Sequence, residues 1–211
     1  KAIESCAKII SEASDHSVPV LIKSTVPVGT SVKIQNLIHN GLKERKMDLL
    51  IPVASNPEFL HEGDAISEFY NPDRIVLGTH DEQVIEVASK LYKDVMPESN
   101  EILVMSPESA ELTKYASNAF LGTKISYMNQ LSQFCSLAGA NIDDVRKGMG
   151  PDPDIAPGYL YAGCGFGGSC LPKDISSLIH QAGEKGKDLS ILKAVRDVNE
   201  NQKKYLFSIA S

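Results

Sequence analysis

Cysteine is scarce and scattered: Cys6, Cys135, Cys164 and Cys170 in 211 residues, with only the last two near one another. Neither a CxxC pair nor a dense framework results, which argues against a disulfide scaffold and against a structural zinc site. A reducing, cytoplasmic setting is the expectation. No apolar run approaches the ~18 to 20 residues needed to span a bilayer, so a membrane protein is excluded at this level. Basic blocks are missing too. The 21 Lys and Arg are outnumbered by 27 Asp and Glu, giving a net charge of -6, so a nucleic-acid backbone finds little attraction here. What remains, 42% hydrophobic and 23% charged, is an ordinary globular composition with ample length to bury a core.

From residue 1 to about 105, short apolar runs alternate with helical patterns. Ile3, Cys6, Ala7, Ile10 and Ala13 recur at helix spacing, and Val18–Ile22, Leu49–Val53, Arg74–Gly78 and Glu101–Met105 read as strands. A helix is predicted to begin at Thr30, and another to occupy the segment around Val84–Leu91. Strands and helices in this alternation imply a Rossmann-like, mostly parallel sheet covered on both faces, here without its first strands. Ser106, Pro107 and Glu108 then form a helix start: an N-cap, a proline at the first position and an acid in the first turn. The helix they open should run to about Ala138, long enough for a spine. A short helix near Ile142–Gly148, a Pro/Gly-rich stretch at 150–172 and further helix complete an all-helical second domain. The predicted division is 1–105 and 106–211, and both ends read as cut from a longer protein.

Four constellations carry chemistry. The first is Gly165-Phe-Gly-Gly-Ser-Cys-Leu-Pro-Lys-Asp174, where three glycines allow a close approach to a ligand and Pro172 can open a helix. That start would place Cys170 at a helix N-terminus, which favours the thiolate, with the Asp174 carboxylate on the same side. A buried structural cysteine is the bland alternative. The second is Lys23-Ser-Thr-Val-Pro-Val-Gly-Thr30, with hydroxyls just past a strand, where open α/β sheets take ligands. An ordinary capped turn explains it equally well. The third is Ser55-Asn-Pro-Glu-Phe-Leu-His-Glu-Gly63, in which Glu58 and Glu62 could serve as base and positioning group, or simply face solvent. The fourth is the polar stripe of Glu111, Lys114 and Asn118 on the long helix. A solvated face is the usual explanation, but the small neighbours Ala116, Ser117 and Ala119 point to close packing. A buried lysine and amide there would suit a developing oxyanion.

In this order, these motifs together with Asn71-Pro-Asp-Arg74 resemble the UDP-glucose/GDP-mannose dehydrogenase family, and the matching segments span nearly the whole chain. The resemblance implies a two-step, four-electron oxidation of a primary alcohol on a nucleotide sugar with NAD as cofactor. It would make Cys170 the nucleophile that forms a thiohemiacetal and then a thioester. Lys114 and Asn118 would stabilise oxyanions, Asp174 would handle protons with Lys114, and Thr25 and Glu58 would position a water. Ser24, Thr25, Glu62 and Lys173 would contact the cofactor. Phe59, Leu60, Lys114, Asn118, Tyr159, Leu160, Gly163, Phe166 and Gly167 would line the sugar-nucleotide pocket. No metal is implied, and a homodimer through the long helix is.

Asp154 departs from the family pattern, which often has an arginine there that reaches the neighbouring subunit's substrate. The family's glycine fingerprint would lie before Lys1 and a further nucleotide domain beyond Ser211, so these 211 residues alone are expected not to complete a turnover. The residues leave two alternatives open: a GDP-mannose enzyme of the same family, and a non-catalytic helical dimerisation module.

Overall fold

The computed structural model describes residues 1–61, 63–96 and 101–210. The chain divides into two compact units, Lys1–Lys114 and Tyr115–Ser211. In the first unit the order is α1 (Ala2–Ala13), β1 (Val20–Ile22), α2 (Thr30–Glu44), β2 (Val53–Ser55), α3 (Ala65–Tyr70), β3 (Ile75–Gly78), α4 (Glu82–Tyr92) and β4 (Ile102–Met105). The helix α5 (Pro107–Ala138) begins in this unit. It is followed in the second by α6 (Ile142–Met149), α7 (Leu171–Glu184) and α8 (Ser190–Ala210). Among the described residues no helix is long and apolar enough to cross a membrane.

The four strands stand in chain order. β1 pairs with β2 in parallel and β3 with β4 in parallel, each across a helical crossover, as the alternation requires. The middle pairing is the exception in the mostly parallel sheet that was expected: β2 and β3 are antiparallel, bridged at Ser55 and Gly78. The connection explains it. Between them lies only the six-residue α3, none of whose residues is buried, so it cannot cover a sheet face as a crossover helix does. The sheet is therefore mixed. β2 also sits later than expected, at 53–55 rather than 49–53, because Pro52 has no N–H to give to a ladder.

Alternation on β2 divides the core. Val53 joins Ala7, Ile22, Ile34, Ile38 and Leu42 under α1 and α2, whereas its neighbour Ala54 joins Leu77, Val84, Ala88 and Tyr92 under α4. Helix is thus packed on both sides of the strand whose end carries the Asn56–Leu60 segment. β4 has no fully buried residue, and Leu103 and Val104 are exposed.

The start of α5 is the one the sequence specifies: Ser109 N–H donates to Ser106 Oγ at 3.2 Å, and Pro107 is the first helical residue. Its close contact is with Gly78. A Cβ there would lie 2.6 Å from Ala110 Cβ and 2.8 Å from Pro107 Cα, so only glycine lets the helix start against β3. In the second unit, Ala119 of α5, Phe166, Ile175 of α7 and Val195 of α8 form the core.

Candidate active site

Within the first unit the polar stripe of α5 is buried. Glu111 is 2% and Lys114 5% exposed, which removes the solvated-face explanation. The packed small residues are Ala110 and, further along, Ala119 and Gly122; Ala116, expected among them, is exposed. Lys114 Nζ lies 3.7 Å from Glu58 Oε1 and 5.2 Å from the centre of the Phe59 ring. The Arg74 guanidinium lies over the same ring at 4.1 Å, so the Asn-Pro-Asp-Arg segment is drawn to the Pro-Glu-Phe-Leu segment by a cation–π contact. Glu58 Oε2 accepts from Leu60 N–H at 2.8 Å, which fixes the carboxylate while its other oxygen faces the lysine. Phe59 is half-buried and Leu60 exposed.

Asn56 holds this segment in place. It is fully buried, donates from Nδ2 to Val76 O at 2.9 Å, and accepts at Oδ1 from Lys23 Nζ at 3.3 Å and from the Tyr92 hydroxyl. The residue therefore ties the ends of β1 and β2 to β3 and α4. Ser24 is exposed and Thr25 half-buried at the end of β1. Glu62 lies outside the described residues.

Glu111 has a role that the sequence reading did not find. Its carboxylate accepts from Gly29 N–H at 2.6 Å, Ser31 N–H at 2.7 Å and Ser31 Oγ at 2.7 Å. It occupies the N-terminus of α2, where unpaired N–H groups and the helix dipole favour an anion. That end of α2 is consequently taken, and a phosphate there would meet a carboxylate. The signal was present only as an acid three residues before Lys114; its partners are 80 residues away in sequence.

In the second unit, Asn118 Nδ2 donates to Asp174 Oδ2 at 2.7 Å, and both residues are buried. The other Asp174 oxygen, Oδ1, lies 3.3 Å from Nζ of the largely exposed Lys173 side chain. Cys170 is the N-cap residue of α7, as a free and exposed thiol with the Ser169 hydroxyl 3.5 Å from its sulfur. Cys6 and Cys164 are also exposed free thiols, but Cys170 is the one that begins a helix. Tyr159 takes a positive φ of 64°. Leu160 and Phe166 are buried, so their side chains anchor the loop and a ligand would meet mainly its backbone and its exposed glycines, Gly163 and Gly167. Among the described residues no group of three or more His, Cys, Asp or Glu is placed to hold a metal ion.

A mixed α/β unit with hydroxyls and a carboxylate at strand ends, and a helical unit with a thiol at a helix start, agree with the family matches. The chain belongs to the UDP-glucose/GDP-mannose dehydrogenase family: residues 1–96 match its NAD binding domain and residues 108–201 its central domain. It is 47% identical over 188 residues to a UDP-glucose 6-dehydrogenase of Pseudomonas aeruginosa, covering 89% of this chain and 42% of that protein. With the UDP-glucose 6-dehydrogenase YwqF of Bacillus subtilis it shares 45% identity over 204 residues, covering 97% and 45%. Among solved structures, a UDP-glucose dehydrogenase from Pyrobaculum islandicum superposes with a TM-score of 0.86 at 39% identity, over 95% of this chain and 46% of that one. The chain thus spans less than half the length of the relatives it matches.

Proposed function

We propose that this chain forms part of a cytoplasmic NAD-dependent dehydrogenase that oxidises UDP-glucose to UDP-glucuronate. The matched NAD binding domain and the Ser24 and Thr25 hydroxyls beyond β1 fit a dinucleotide. Ser24 and Thr25 of the first unit would hold it, together with Glu62. When bound, NAD supplies the hydride acceptor for both oxidations. The relatives named above are UDP-glucose enzymes, which favours that sugar nucleotide over GDP-mannose.

The observation that carries the reading is Cys170: a free, exposed thiol at the first turn of α7, four residues before a buried carboxylate. The sulfur attacks the aldehyde carbon, and the covalent adduct retains the carbon until it reaches the acyl level. Lys114 and Asn118 donate to the oxygen that gains charge during attack. Asp174, held by Asn118, takes part with Lys114 in moving the proton. Glu58 and Thr25 orient the water that hydrolyses the thioester. Binding of the sugar nucleotide is assigned, in the second unit, to the loop from Tyr159 to Gly167.

Conversion of UDP-glucose by the longer protein of which this chain forms part, with NADH as readout, tests this reading. Cys170→Ser should lower kcat by about three orders of magnitude or more, since an alkoxide is a poor substitute for a thiolate. Undiminished turnover would remove the thiol from the mechanism.

Dimerisation belongs to the same proposal. Phe120, Tyr127 and Phe134 stand at seven-residue intervals on α5, all exposed, with Leu137 exposed beyond them. A stripe at that period is what a second copy of the same helix would cover.

A further inference from the structure

The glycine-rich loop of the second unit has no secondary structure, yet at two points its peptide groups are fully paired by side-chain carboxamides. Gly163 N–H donates to Asn129 Oδ1 at 2.7 Å, and Gly163 O accepts from Gln202 Nε2 at 2.9 Å. Phe166 N–H donates to Asn199 Oδ1 at 2.7 Å, and Phe166 O accepts from Asn199 Nδ2 at 3.0 Å. Gln202 is itself oriented by Gln133 Nε2, which donates to its Oε1 at 2.7 Å.

A carboxamide offers an acceptor and a donor side by side, so Asn199 pairs with Phe166 as a neighbouring strand would. Neither a carboxylate nor an ammonium can do so. Asn199 and Gln202 are three apart on α8 and therefore share a face. Asn129, Asn199 and Gln202 are all buried; Asn199 and Gln202 have both carboxamide ends paired, whereas Asn129 is held at its Oδ1 alone. The fit is tight. Gly165 has φ 94°, and a Cβ at that position would lie 2.6 Å from Asn199 Oδ1. Beyond Phe166, whose ring is in the core, residues 167–170 are exposed up to the thiol.

We propose that Asn199 and Gln202, with Asn129, are positioning residues. They fix the loop at Gly163 and Phe166, so that the four-residue arm bearing Cys170 leaves the core from a set point. The importance of that point for chemistry rests on the thiol's role proposed above; the clamp itself does not.

Two measurements separate these. Hydrogen exchange reads the clamp directly. Asn199→Ala should speed exchange of the Phe166 amide by about 10- to 100-fold and leave that of Gly163 within about twofold, and Asn129→Ala should do the reverse. Gln202→Glu, which keeps the volume but removes the donor, provides the same test if the alanine variants fold poorly: it should loosen Gly163 and spare Phe166. In the UDP-glucose assay, Asn199→Ala should lower kcat at least about tenfold with the KM for NAD unchanged, because a small displacement of the nucleophile is enough to slow attack. Asn199→Gln, one methylene too long, should not restore it. Unchanged exchange at both amides would overturn the clamp, and raised exchange with unchanged kcat would overturn its positioning role. A fully active Cys170→Ser protein would instead refute the thiol reading and leave the exchange result standing.

Discussion

At the scale of single residues, the exposed pair of His61 and Glu68 shows how a local contact sets a response to acid. The backbone N–H of His61, and then its ring, hold the Glu68 carboxyl below its ordinary value of 4.5, with smaller help from the charge of Lys114. A carboxylate depressed on folding stabilises the folded state above that ordinary value, and the contribution is lost as pH falls through the lowered one. Glu68→Gln should therefore lower the melting temperature at neutral pH and converge with the wild type in acid, which flattens the acid side of a plot of melting temperature against pH. An equal loss at all pH values would show that Glu68 acts by packing alone. Residue types were the most legible level of the site. Cys170, Lys114, Asn118, Asp174 and Glu58 could be named as candidates from short motifs, because chemistry demands particular groups at short spacing. Glu111 as the anion at the start of α2, and Asn199 as partner to Phe166, were not. Their partners lie 80 and 33 residues away, and a lone Glu or Asn on a helix has no spacing that announces a distant peptide group.

At the scale of elements, helix starts were readable and strand bounds less so. Ser106-Pro107 marks a helix N-terminus through capping chemistry, which is local; α2 begins at Thr30 as read, but its free N–H groups are met by the distant Glu111. The shift of β2 and the reversal at β3 came instead from a proline and from a connection whose short helix α3 buries nothing on the sheet, which only tertiary structure resolves. The junction of β3 with α5 is the most constrained of these. Gly78→Ala would force its methyl against Ala110 and the backbone of Pro107, so we expect a loss of about 1–3 kcal/mol, measured by chemical denaturation. A neutral result would mean that the start of α5 can move away from the strand. The polar face of α5 also proved longer than the motif. After Glu111, Lys114 and Asn118 it continues through the buried Ser126 and Asn129, at helical spacing, to Gln133.

At the scale of the whole molecule, this chain accounts for less than half of its relatives' length, and exposed apolar groups recur along the whole of it. The heptad stripe of α5 makes the clearest forecast. Tyr127→Lys places a charge at its centre and should shift the protein from dimer to monomer in light scattering, without loss of helix content by circular dichroism. A wild-type monomer at all concentrations would end the argument.

β4 leads elsewhere. It is the last strand of the sheet among the described residues, its Ile-Leu-Val-Met run carries no charge, and two of its four side chains are open to water. Such a margin can template a foreign ribbon as readily as a native one. On the bench, cloudiness on concentration rather than melting would then limit how this polypeptide can be stored, and the remedy would be a soluble escort for that margin, not a tighter interior.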